Sequence, residues 1–128
     1  MHDNGPRSFF IAMSTTAPVD AATTTLFNSV DAFGARQLRH LALARISIAV
    51  ENSHAGTLEA SFSNDGGTTW DVYDATAVAA AGANVISGPY DYLIDTYDDF
   101  RLRWVNGGTT QTTWRPVMRG HENRQPGT

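Results

Sequence analysis

The chain has 128 residues with nine basic side chains, thirteen acidic ones and a formal net charge of −4; 41% of it is hydrophobic, 10% aromatic, and there is no cysteine. A length of this order suits one domain that buries about two-thirds of its unfolded surface, and the acidic balance leaves no broad basic face for nucleic acid. Without cysteine there is neither a disulfide framework nor a thiolate metal site, so stability must come from packing or from association with other chains. All nine basic side chains are arginines. A GC-rich coding sequence accounts for that, and the same guanidinium forks suit interfaces with carboxylates.

Residues 1–20 read as an N-terminal arm. Its apolar patch Phe9-Phe10-Ile11-Ala12-Met13 is too short for the apolar region of a signal peptide, and nothing along the chain approaches the roughly 18 apolar residues of a membrane span. Leaving Phe9, Phe10 and Ile11 in water forgoes about 1.5 to 3 kcal/mol each. The patch can be a strand of the sheet, a tail, or an arm on a neighbour, and the cost of exposure favours docking over free disorder.

Residues 21–119 carry the strand signals. Ala22 to Val30 predicts a first core strand and Asn28 to Gly34 a connection. In Leu38 to Val50 the apolar residues change phase, with Leu41 and Leu43 at odd positions and Ile46, Ile48 and Val50 at even ones. A two-residue pleat cannot face all five inward, so either a bulge lies near Ala44 and Arg45 or the strand is buried on both faces. Glu51 to Gly56 is a turn, and Leu58, Ala60 and Phe62 then alternate inward. Asp74 to Asn84 is Ala-rich without an amphipathic stripe and reads as a long, partly extended loop. Val85 to Thr96 is a strand entered through Gly88-Pro89. Phe100, Leu102 and Trp104 face inward on the next strand, and Asn106-Gly107-Gly108 turns it into a return strand, Thr109 to Met118, which closes one sheet. Residues 120–128 form a C-terminal tail without an apolar anchor. The whole predicts an all-β fold, a single antiparallel β-sandwich of jelly-roll or Ig-like type with extended arms.

The strongest local signal is Ser63-Asn64-Asp65-Gly66-Gly67-Thr68-Thr69-Trp70. Ser63 and Asp65 carry short oxygens that bond nearby backbone N–H groups, and the glycines supply positive φ, so the stretch is the turn of a hairpin. Ser63, Asp65, Gly67, Thr69 and Trp70 resemble the Asp-box pattern S-x-D-x-G-x-T-W of sialidases and other β-propellers, in which it is a structural hairpin. A propeller repeats its blades, and here there is one copy and no repeat.

Candidate chemistry is sparse. His2, His40, His54 and His121 lack metal-ligand spacing, so no metal is expected, and no phosphate cradle or nucleophile motif calls for a cofactor. The carboxylates Asp91, Asp95, Asp98 and Asp99 raise a glycosidase only as a remote reading, because such turns commonly carry Asp for backbone bonding. Exposed aromatics such as Trp70, Tyr73, Tyr90, Tyr92 and Tyr97 make carbohydrate binding the better rival.

The strand pair from Phe100 to Arg115, together with the Asp-box-like hairpin, resembles the small all-β structural proteins of tailed-phage particles: capsid decoration (cement) proteins, head fibres and tail or baseplate domains, often trimers. That resemblance implies a non-enzymatic virion protein, made in the host cytoplasm without a signal peptide, whose partners are the major capsid protein and copies of itself. Phe9, Phe10, Ile11, Arg115 and Arg119 are then the candidate contact residues.

Overall fold

The computed structural model describes residues 8–10, 17–38, 43–82, 84–94 and 97–122. Eight strands and one short helix follow in the order β1 (Ser8–Phe10), β2 (Thr23–Asn28), α1 (Ser29–Phe33), β3 (Leu43–Asn52), β4 (Gly56–Ser63), β5 (Asp71–Val78), β6 (Ser87–Leu93), β7 (Asp99–Asn106) and β8 (Trp114–Glu122). They make two four-stranded antiparallel sheets of order β1-β8-β3-β6 and β2-β7-β4-β5. Successive strands alternate between the sheets, and only β4 and β5 follow each other within one. This interleaving is that of an eight-stranded jelly roll, and it decides between the two sandwich types the sequence left open.

The core lies between the sheets. Ile46, Ile48 and Val50 of β3, Tyr92 of β6 and Met118 of β8 face Leu26 and Phe27 of β2, Leu58 and Ala60 of β4, and Phe100, Leu102 and Trp104 of β7, all of them buried. The phase change in β3 is resolved by a register shift between Leu43 and Arg45, so one extra residue returns the even positions to the core. A second shift in β2, between Thr25 and Phe27, lets the consecutive Leu26 and Phe27 both be buried. Trp104 packs on Trp114 across the sheets with ring centroids 4.9 Å apart. Gly56 makes room for the indole, since a Cβ there would sit 2.2 Å from Trp104 Cζ2.

Three expectations need correction. The segment after β2 is not a plain connection. Asn28 Oδ1 accepts from the Val30 amide at 2.9 Å and starts α1, which ends where the Gly34 amide donates to Val30 O. The Ala-rich stretch after Tyr73 continues β5 to Val78. As the edge of its sheet β5 is exposed along most of its length, so burial never imposed an alternation that a reader could find. β7 and β8 do not close one sheet, for they belong to opposite sheets and residues 107–113 cross between them. Each terminal segment also contributes to a strand. β1 pairs Ser8, Phe9 and Phe10 with His121, Gly120 and Arg119, and β8 runs to Glu122.

Candidate functional site

Two parts of the molecule hold the residues singled out from sequence. The first is the β4–β5 turn. The Ser63 hydroxyl donates to Asp65 Oδ1 at 2.7 Å and accepts from the Gly67 amide at 3.0 Å, while Asp65 Oδ1 also accepts from the Thr69 amide at 2.8 Å. These bonds to the charged form, first from Thr69 and then from Ser63, hold the Asp65 carboxyl down at about 2. Gly67 has φ +93°, and a Cβ there would come within 3.0 Å of Val30 Cγ2, so the turn sits directly on α1. The Trp70 ring lies over the Arg101 guanidinium, 4.7 Å from its centroid.

The base of this hairpin is fixed by a buried carboxylate. Ser63 lies opposite Asp99 in the β4–β7 ladder, and both are fully buried. Asp99 accepts from the Ser29 hydroxyl at 3.0 Å and the Arg36 amide at 3.0 Å, and Ser29 Oγ accepts in turn from the Phe100 amide at 2.9 Å. Asp65 is thus tied to the turn's own backbone, and Asp99 to Ser29 of α1 and the Arg36 amide beyond it. Beside the turn an open hollow of about 240 Å³ is lined by Phe62, Asn64, Asp65, Thr69 and Asp71. Tyr97 stacks on Phe62, 4.5 Å between centroids and 14° between planes.

The aromatic residues proposed as sugar platforms are largely used elsewhere. Tyr92 is buried in the core, and Tyr73 packs on Phe62, Tyr97 and Phe100. Burial pushes both phenols above their ordinary range.

The second part is the outer face of the β1-β8-β3-β6 sheet. Its side chains are the odd residues of β3 and β8 and their β6 partners. One cross-strand row is Leu93, Arg45 and His121; the next is Asp91, Ser47 and Arg119; Ala49 and Val117 follow, and then Glu51 and Arg115. Ser47 donates to Asp91, and His121 Nε2 lies 3.1 Å from the same hydroxyl oxygen. Burial, with Arg45 and Arg119 nearby, outweighs Asp91 and lowers the affinity of His121 for a proton.

Arg115 Nε donates to Glu51 Oε1 at 3.0 Å, and Glu51 also accepts from the Asn84 amide at 2.6 Å. These bonds, the amide first, lower the Glu51 carboxyl below its usual range. Arg45 and Arg119 are exposed and make no ion pair among the described residues. Of the candidate contact residues, Arg115 and Arg119 lie on this face; Phe9 and Phe10 belong to β1 beside β8, and Ile11 lies outside the described residues. Arg45, Ser47, Asp91 and His121 were not singled out as a group. Their signal was the odd phase of Arg45, Ser47, Ala49 and Glu51 against buried Ile46, Ile48 and Val50, but nothing local said which strands lie alongside. Among the described residues, no three His or carboxylate groups are placed to hold a metal.

Fold and surface together define a small jelly-roll sandwich whose first sheet has a polar, arginine-bearing outer face. No family model matches the sequence and no curated protein matches it. The structure resembles the crystal structure of the PBSX exported protein XepA, with a TM-score of 0.66 and 16% identity. The match covers 95% of this chain and 38% of that one, so the chain corresponds to little more than a third of that protein's length.

Proposed function

We propose that this chain is a non-enzymatic structural protein of a phage particle that acts by binding, and specifically a capsid decoration protein seated on the outside of the assembled head. The observation that carries this reading is the outer face of the β1-β8-β3-β6 sheet, where Arg45, Arg115 and Arg119 surround Val117 and Leu93. The jelly-roll fold, shared with the phage-associated XepA, supports the same direction. A protein that binds the assembled shell and not its free subunits stabilises the shell by mass action. Its partners are the major capsid protein and copies of itself, and its place is the virion surface.

The test is co-sedimentation of the purified chain with assembled heads. Binding is expected, together with a rise in the temperature at which the heads release DNA, and both are expected to weaken with Arg119→Glu. A chain that stays in the supernatant at every concentration refutes the decoration role. A second reading, a tail domain that binds a receptor sugar, is favoured by the hollow of Phe62, Asn64, Asp65, Thr69 and Asp71, which sets polar groups beside an aromatic ring. It predicts glycan binding that is lost with Asn64→Ala while the fold persists.

A further inference from the structure

The relief of a sheet face follows from the side chains that stand on each cross-strand row. On the outer face of the first sheet one row is low and uncharged. Ala49 of β3 lies opposite Val117 of β8, and on its other side the ladder with β6 slips between Ile48 and Val50, which leaves Gly88 and Pro89 in the place opposite Ala49. The rows to either side carry charges. Asp91, Ser47 and Arg119 stand on one, and Glu51 and Arg115 on the other. Rows of like facing are about 7 Å apart along a strand and strands about 4.8 Å apart across the sheet, so the low row is the floor of a trough about 10 Å long. A hollow of about 160 Å³ lies there, lined by Ser47, Ile48, Ala49, Pro89, Val117 and Arg119.

The floor is apolar and one lip is cationic. Of the charges around the trough, Arg115 is held by Glu51 at 3.0 Å and Asp91 accepts from Ser47 at the β6 end, and neither carboxylate lines the hollow. Arg45 and His121 stand one row beyond Arg119, on the side away from the floor. That leaves Arg119 as the cation on the lip, exposed and without an ion pair among the described residues. Its planar fork matches a carboxylate. Size narrows the occupant further, because sites for free small molecules measure about 300 to 1,000 Å³. A hollow below that range suits one side chain of a partner.

We infer that this trough receives an aliphatic side chain of a partner protein, beside an Asp or Glu of that partner whose carboxylate pairs with Arg119. The inference rests on the decoration reading above, which makes the partner the shell of the assembled head, and it names the feature of that shell which this face fits. Ala49, Val117 and Pro89 cover the aliphatic group. A few anchors seated in pockets carry most of the binding energy of an interface, and the contacts around them exclude water.

The probe is isocaproate, which joins a leucine-like chain to a carboxylate, titrated into the full chain and followed by NMR. Saturable shifts are expected at the Ala49 and Val117 methyl groups and at Arg119 Nε. Isocaproamide, of the same shape without the charge, should bind about fivefold more weakly, the worth of one exposed charge pair, and Arg119→Gln should bring acid and amide level. Ala49→Phe fills the floor and alters no charge. It should remove the Val117 shifts and weaken co-sedimentation with heads about tenfold. Far-UV circular dichroism checks folding, and Ala49→Val, a milder filling that suits a strand, should act in the same direction. Three results each overturn the trough: no saturable shift at Ala49 and Val117, equal affinity of the wild type for acid and amide, or a folded Ala49→Phe chain that binds heads as the wild type does. The last of these leaves the decoration reading intact. A wild-type chain that stays in the supernatant refutes that reading and, with it, the partner named here.

Discussion

Strand β7 begins and ends on a buried polar residue, Asp99 at the hairpin end and Asn106 at the other, and the two ends are held in different ways. At the hairpin end the turn bonds are local, joining Ser63, Asp65, Gly67 and Thr69 within seven positions. At the other end four connections between the sheets converge. Asn106 Oδ1 accepts from Trp104 Nε1 at 2.9 Å and Gln111 Nε2 at 2.8 Å, while its amide donates to Val19 O and Thr109 O. Gln111 also exchanges bonds with the His54 backbone, and Asn52 Nδ2 donates to His54 O and Ala79 O. The Gly107 amide donates to Ala55 O, and the Ser53 amide to Thr113 O. One end fixes the register of two strands, whereas the other clamps the sheets together.

That contrast can be broken at either end. The largest effect is expected for Asn106→Ala, because several buried groups, each worth roughly 1 to 3 kcal/mol when orphaned, lose their partner. We expect a loss of about 3 to 5 kcal/mol in urea unfolding. A loss no greater than that of a hairpin variant would invalidate the claim that this end is the stronger clamp. Next comes Gly56→Ala, which drives a methyl into the Trp104 indole and should cost about 1 to 3 kcal/mol through overpacking. Restoration of wild-type stability by a smaller residue at position 104 would show that the clash is the cause.

At the hairpin end, Trp70→Ala uncovers Arg101 and should cost about 0.5 to 2 kcal/mol, with the loss confined to amide exchange near β4, β5 and the turn. The smallest effect is one of pH. The Asp65 carboxyl is held at about 2, below its ordinary 3.8, so its contribution is complete above about pH 4 and is lost as the pH falls through about 2. Asp65→Asn should flatten the stability profile in that window alone. A profile identical to the wild type would show that the Ser63 and Thr69 bonds do not persist in solution.

The residues themselves determined what depends on near neighbours. The turn from Ser63 to Trp70, the inward alternation of Phe100, Leu102 and Trp104, and the irregularity near Ala44 and Arg45 were all legible, because turn chemistry and the pleat act over a few positions. Length and apolar pattern likewise gave an all-β sandwich. Tertiary structure alone decided which strands lie side by side. Asn106-Gly107-Gly108 looks the same whether a chain turns back within its sheet or crosses to the other. In the crossing, Gln111 bridges Asn106 to the His54 backbone, a contact that no local signal announces. For the same reason Arg45 and Arg119, 74 positions apart, form one patch only once β8 is laid against β3. A strand's faces are written in its own period of two, but its neighbours are chosen by the packing of the whole chain.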